Sequence, residues 1–149
     1  MRRTLVWSGL DAPRMEIAYA EVEGGELRAR GTQIGVAYEL RYELEPGRLR
    51  AEIVGGPSAD LVLDGTDFFD LAFSPLLNSL PVLGRLESAA DFVMSFVDVP
   101  SLEVSRSEQR YEPLGEGVVR FRSGSFVADL EFDEDGFVVR YEGLAERVG

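Results

Sequence analysis

Asp64, Asp67 and Asp70 recur at intervals of three, and their type and spacing could do chemistry. On a helix they would converge, and oxygen-rich clusters hold magnesium or calcium. A turn at Asp64-Gly65 followed by a helix start that favours acidic residues explains the same spacing, and we prefer it. Asp133, Asp135 and Gly136 resemble a calcium loop. The third aspartate is missing, however, and Leu144 stands where the loop needs a glutamate, so a hairpin is expected. Paired carboxylates could run acid–base hydrolysis, but among 27 acidic residues no spacing singles out a pair. The sequence therefore predicts no metal site and no cofactor.

Other chemistry is excluded by what the chain lacks. It has no cysteine, no histidine and no lysine; its fifteen basic residues are all arginine. Thiolate sites, Ser-His-Asp schemes, Schiff bases and the P-loop lysine are gone together. The expectation is a protein that is not an enzyme, with a carboxylate-dependent hydrolase kept as one alternative.

The formal net charge is −12. Phosphate backbones and anionic membrane surfaces need clustered basic residues, so neither nucleic acid nor membrane binding is expected. No stretch approaches the roughly 18 apolar residues needed to span a bilayer. The default location is the cytoplasm, and the oligomeric state is left open.

The elements are mostly strands. Turn signals recur between alternating segments across 149 residues, as in a single antiparallel all-β domain covering 1–149. Around Pro46-Gly47 the register pairs Leu44 with Leu49, Tyr42 with Ala51 and Leu40 with Ile53. Three opposite-charge pairs fall on the other face, Glu45–Arg48, Glu43–Arg50 and Arg41–Glu52. Gly24-Gly25 pairs Val22 with Leu27 and Ala20 with Ala29, and gives an inner face of small residues, Ala18, Ala20, Ala29 and Gly31. A Ser123-Gly124 loop sets Phe121 opposite Phe126, and Asp135-Gly136 sets Leu130 opposite Tyr141 and Phe132 opposite Val139. Ser101–Tyr111 is mostly polar, as an edge strand would be.

Two segments depart from this rhythm. Residues 92–99 carry Phe92, Met94 and Phe96 on one face and Val93, Val97 and Val99 on the other; a strand apolar on both faces is covered on both. Ala72–Gly84 runs thirteen residues without a charge. Ser74 before Pro75 reads as a helix N-cap, and Pro81 stops a short helix near 75–80. The fold expected is mainly β: one curved antiparallel sheet of roughly ten to twelve strands, with one short helix.

Leu63-Asp64-Gly65, Asp70-Leu71, Ser74-Pro75-x-x-Asn78-x-Leu80-Pro81 and Arg85-Leu86 resemble the central motif of the putative glycolipid-binding family, small bacterial proteins. Trp7-x-Gly9, Pro100-x-Leu102, Tyr111, Phe132-Asp133-x-Asp135-Gly136-x-Val138-x-x-Tyr141 and Arg147 follow in order. Thr66, Leu77 and Ser79 depart from the pattern, and no tryptophan precedes the motif at Gly55–Ser58. The resemblance implies a spiral β-roll, like lipoprotein carriers that hold acyl chains inside a curved sheet, and a non-catalytic binding role for a glycolipid or other amphiphile. An interaction or oligomerisation domain is the alternative.

The site expected lies beside Ser74–Gly84. Asn78 offers donors and an acceptor to a sugar hydroxyl. Arg85 offers a bidentate fork to a phosphate or carboxylate. Phe92, Met94 and Phe96 would line the interior, methionine adapting to irregular ligands. No catalytic residue is expected.

Overall fold

The computed structural model describes residues 1–148. Thirteen strands form one sheet. In chain order they are β1 (Arg2–Gly9), β2 (Met15–Glu23), β3 (Glu26–Ile34), β4 (Glu39–Glu45), β5 (Arg48–Ile53), β6 (Ser58–Val62) and β7 (Phe68–Leu71). After a helical segment come β8 (Ala90–Val97), β9 (Val104–Gly115), β10 (Val118–Ser123), β11 (Phe126–Phe132), β12 (Val138–Tyr141) and β13 (Ala145–Arg147). Their spatial order is β6-β5-β4-β3-β2-β1-β13-β12-β11-β10-β9-β8-β7. The two edges, β6 and β7, are consecutive in the chain. Only residues 63–67 join them, so the sheet must curl until its ends approach. The β7–β8 pair is parallel, a correction to the all-antiparallel expectation. Among the described residues, no helix is long and apolar enough to cross a membrane.

The β7–β8 end is rolled inside the rest. Phe69, Leu71 and Val97 join one core with Leu5, Ala18, Leu40, Tyr42 and Leu49 from β1–β5. On the other face of the same layer, Met94, with Phe68 and Phe92 packed against it, joins a second core with Tyr111, Phe121, Leu130 and Tyr141 from β9–β12. The two-sided apolar pattern of 92–99 thus has its cause: the strand lies between two arms of a spiral. Phe96 also touches the first core.

The hairpin registers at Pro46-Gly47 and Gly24-Gly25 are those expected, residue by residue. At the first, Gly47 takes φ +72° in the turn and the register runs through without a shift. The three charge pairs sit opposite one another, yet Arg48 and Arg50 reach on to Asp60 of β6. The small inner face of β2–β3 is closely packed: a methyl group at Gly31 would lie 2.2 Å from Tyr42 Cζ. Two registers need correction. The β10–β11 pair is two residues out, with Phe121 opposite Ala128, because the turn is Gly124-Ser125; every side chain keeps its face. At the next turn Phe132 meets Val138 across a bulge, since the Asp133 carboxylate accepts the backbone N–H groups of Asp135 and Phe137 and draws the loop in.

The helical segment is a 3-10 turn, Leu76–Asn78, followed by α1 (Ser79–Leu83). Pro81 sits inside α1 rather than ending it, in the first turn, where its missing N–H has no partner to lose. Ser74 does not cap; its hydroxyl donates to Glu16. Leu76, Leu77, Asn78 and Ser79 are fully buried, so the segment plugs the roll more than it lids it.

Candidate functional site

The polar strand expected at an edge is central. β9 lies between β8 and β10, so its polarity needs another cause. Pairing sets Phe92, Met94 and Phe96 opposite Gln109, Ser107 and Ser105, and sets Phe68 and Asp70 opposite Met94 and Phe96. All share one face, which opens into a groove of about 450 Å³. Its floor and walls are Asp70, Ser105, Ser107, Gln109, Phe96, Phe121, Phe126 and Tyr141, with Arg106 and Ser123 at the sides.

Hydrogen bonds run in one direction toward Asp70. Asn78 Nδ2 donates to Tyr111 Oη at 3.0 Å. The Tyr111 hydroxyl donates to Gln109 Oε1 at 3.2 Å. Gln109 Nε2 donates to Asp70 Oδ2 at 2.8 Å and to Ser107 Oγ at 3.2 Å. Each link polarises the next. Burial pushes the Asp70 carboxyl up to about 6, against the pull of the Gln109 amide and the Leu71 N–H. Asp70 nonetheless keeps some accessible surface: protein encloses it on most sides, and the groove opens onto it. Burial, with Asp70 nearby, also pushes up the Tyr111 and Tyr141 hydroxyls, so both stay protonated donors.

Aromatic rings floor this face as a ladder. Phe68–Phe92, Phe92–Tyr111 and Tyr111–Phe121 lie 5.6, 5.8 and 5.4 Å apart, and Phe121 meets Phe126 at 6.0 Å and Tyr141 at 6.2 Å. Tilted and edge contacts of this kind hold rings in place.

Beside α1 lies a second, apolar pocket of about 210 Å³. Leu27, Leu44, Leu63, Phe68, Phe69, Leu80 and Leu83 line half of it, and Glu26, Glu45 and Asp67 are among the rest. Phe68 and Asp70, two residues apart on one face of β7, bring the apolar pocket and the polar groove to the same short strand.

Of the expected site residues, the structure brings four to this face. Phe96 lines the groove. Met94 is 1% exposed and Asn78 3%; with Phe92 they pack behind the groove, and Asn78 holds the Tyr111 hydroxyl. Arg85 is apart: exposed, after Gly84, at φ +67°. Sequence reasoning missed Gln109, Phe121 and Tyr141, and weighed Asp70 as a metal ligand, as part of a helix start and as part of the family motif, but not as the floor of a groove. The available signal was the polar run 105–109 in a chain of alternating strands. Among the described residues, no three acidic side chains meet to hold a metal.

Two other features are set aside. A wider concavity, about 570 Å³, lies mainly on the outer face of β1–β4, among Arg2, Arg28, Arg30, Glu21, Glu43 and Glu45. Its interleaved charges form a solvated face, with no enclosed polar group. In the first core, Glu16 accepts from Ser74, Tyr42 and Gln33, at 2.8, 2.9 and 3.1 Å. Burial pushes it up to about 7, although those bonds pull it down. It is satisfied and sealed, and ties the start of the helical segment to β2–β4.

Comparison with known proteins agrees with this architecture. The family described as putative glycolipid-binding matches residues 53–147, which include the whole ladder and groove. No curated protein matches the chain. The fold resembles the crystal structure of a DUF1089 family protein from Pseudomonas aeruginosa, with TM-score 0.55 and 24% identity, over 92% of this chain and 79% of that one.

Proposed function

Because the chain belongs to the putative glycolipid-binding family, we propose that it is a non-catalytic binding protein for an amphiphile, a glycolipid in the first instance, with the head group in the groove over Asp70. One observation carries this reading: an enclosed carboxyl and amide, Asp70 and Gln109, at the bottom of a groove walled by Phe96, Phe121, Phe126 and Tyr141. Carboxylate, amide and serine oxygens suit hydroxyl-rich groups, and ring faces suit the apolar faces of a sugar. The apolar pocket beside α1 is the place for the start of a tail. In this reading Phe96 touches the ligand, Asn78, Phe92 and Met94 position the ladder and the relay, and Arg85 has no ligand contact. The lining carries one carboxyl, Asp70, among the described residues. Paired-carboxylate hydrolysis requires two, which favours binding over that alternative.

A fluorescent alkyl-glycoside probe titrated against the wild type and Ser107→Trp tests this. Ser107 lines the groove, and an indole there fills it. Saturable wild-type binding lost in a folded Ser107→Trp supports the reading. Equal binding by both, or none by the wild type, defeats it.

A further inference from the structure

Among the described residues, the enclosed acids Asp133 and Glu16 are better partnered than Asp70. Asp133 faces two guanidinium groups, Arg147 at 2.7 Å and Arg3 at 3.3 Å, and accepts two backbone N–H groups besides. Glu16 takes three side-chain donors. Asp70 has the Gln109 amide and the Leu71 N–H, while an ionised carboxylate offers about four acceptor positions. Among the described residues no cation pairs with it. Arg106, the cation in the groove lining, instead directs its guanidinium to the Gly65 carbonyl oxygen at 3.3 Å.

The walls around that carboxyl carry the same preference. Phe96, Phe121, Phe126 and Tyr141 bring four ring systems to one groove. Ring faces attract cations, and a carboxylate among aromatic rings is the chemistry that takes ammonium groups. The net charge of −12 draws cations toward the molecule and repels anions.

Resting on the reading above, we propose that the head group this groove takes is cationic: an ammonium, on an amino sugar or as a quaternary amine, seated against Asp70 among the four rings. A bound cation supplies what the site lacks. Burial, outweighing the Gln109 and Leu71 hydrogen bonds, holds the Asp70 carboxyl at about 6, so an ammonium beside it lowers that value. Binding then strengthens as pH rises from about 5 to 7, because the free protein must release a proton to receive the ligand at the lower pH. The titratable groups facing Asp70 are Tyr111 on β9 and Tyr141 on β12, both pushed upward and uncharged across that range.

The test compares octyl β-D-glucosaminide with octyl β-D-glucoside, which differ by one ammonium, using isothermal titration calorimetry on the wild type and Asp70→Asn. Octyltrimethylammonium separates the two sources of the cation. If it binds like the glucosaminide, the charge alone is read; if more weakly, sugar and charge are read together. The expected result is a glucosaminide about tenfold tighter than the glucoside at pH 7. The gap narrows at pH 5 and closes in Asp70→Asn. Should that variant fail to fold, the wild-type pH series decides alone. Equal binding of both octyl sugars overturns the cationic head group and leaves the amphiphile-binding reading standing. Binding of neither overturns both.

Discussion

Gln109 on β9 donates its amide to the Asp70 carboxylate on β7 at 2.8 Å, across the intervening β8. That bond ends a relay beginning at Asn78, so the plug, the ladder and the groove act as one unit. A single change along the relay should be felt at both ends.

Tyr111→Phe tests the middle link. It removes one hydroxyl, keeps the ring in the ladder, and takes away the partner of the buried Asn78 amide and of the Gln109 carbonyl. Urea denaturation should show a loss of about 1–3 kcal/mol with an unchanged m-value. A variant as stable as the wild type would mean the relay carries no energy.

Glu16 makes the first core pH-sensitive. Its folded value, about 7, lies above the ordinary carboxyl range. Between pH 4.5 and 7 the folded state therefore binds more protons than the unfolded one. Stability falls as pH rises through that window, by on the order of 3 kcal/mol from this group. Melting temperatures of the wild type and Glu16→Gln between pH 5 and 7.5 check the sign. The wild type should lose stability toward pH 7.5, and the variant should show a flatter profile.

Gly31 should tolerate no side chain. A methyl group there meets the Tyr42 ring at 2.2 Å, and that ring is buried with its hydroxyl held by Glu16 at 2.9 Å. Gly31→Ala should cost about 1–3 kcal/mol, read as a lowered thermal midpoint. Gly24→Ala, at an open turn with φ +60°, should lose stability through backbone strain alone.

Local patterning made much of the fold legible. The Leu44–Leu49 and Val22–Leu27 registers follow from turn residues and alternation, which act over a few positions. The two-faced strand at Phe92–Val97 even foretold a layer covered on both sides. What it could not convey was which arm covers which face, since that depends on β7 leaving β6 to join the opposite end of the sheet. The same long-range step hid the groove. Asp70 and Gln109 are 39 residues apart, and nothing local links them. The polar run Ser105–Gln109 was visible, but polarity alone reads equally as an edge strand or a wet concave face.

The claim that the ligand site lies on the inner face of β7–β12 is tested most directly by chemical-shift mapping. Nitrogen-15-labelled protein titrated with octyl β-D-glucosaminide at pH 7 should show its largest amide shifts at Asp70, Ser107, Gln109, Phe121 and Tyr141, saturating together. Shifts centred on Tyr19, Arg28, Arg30 and Glu43 of the outer face, or no saturating shift anywhere, would contradict it.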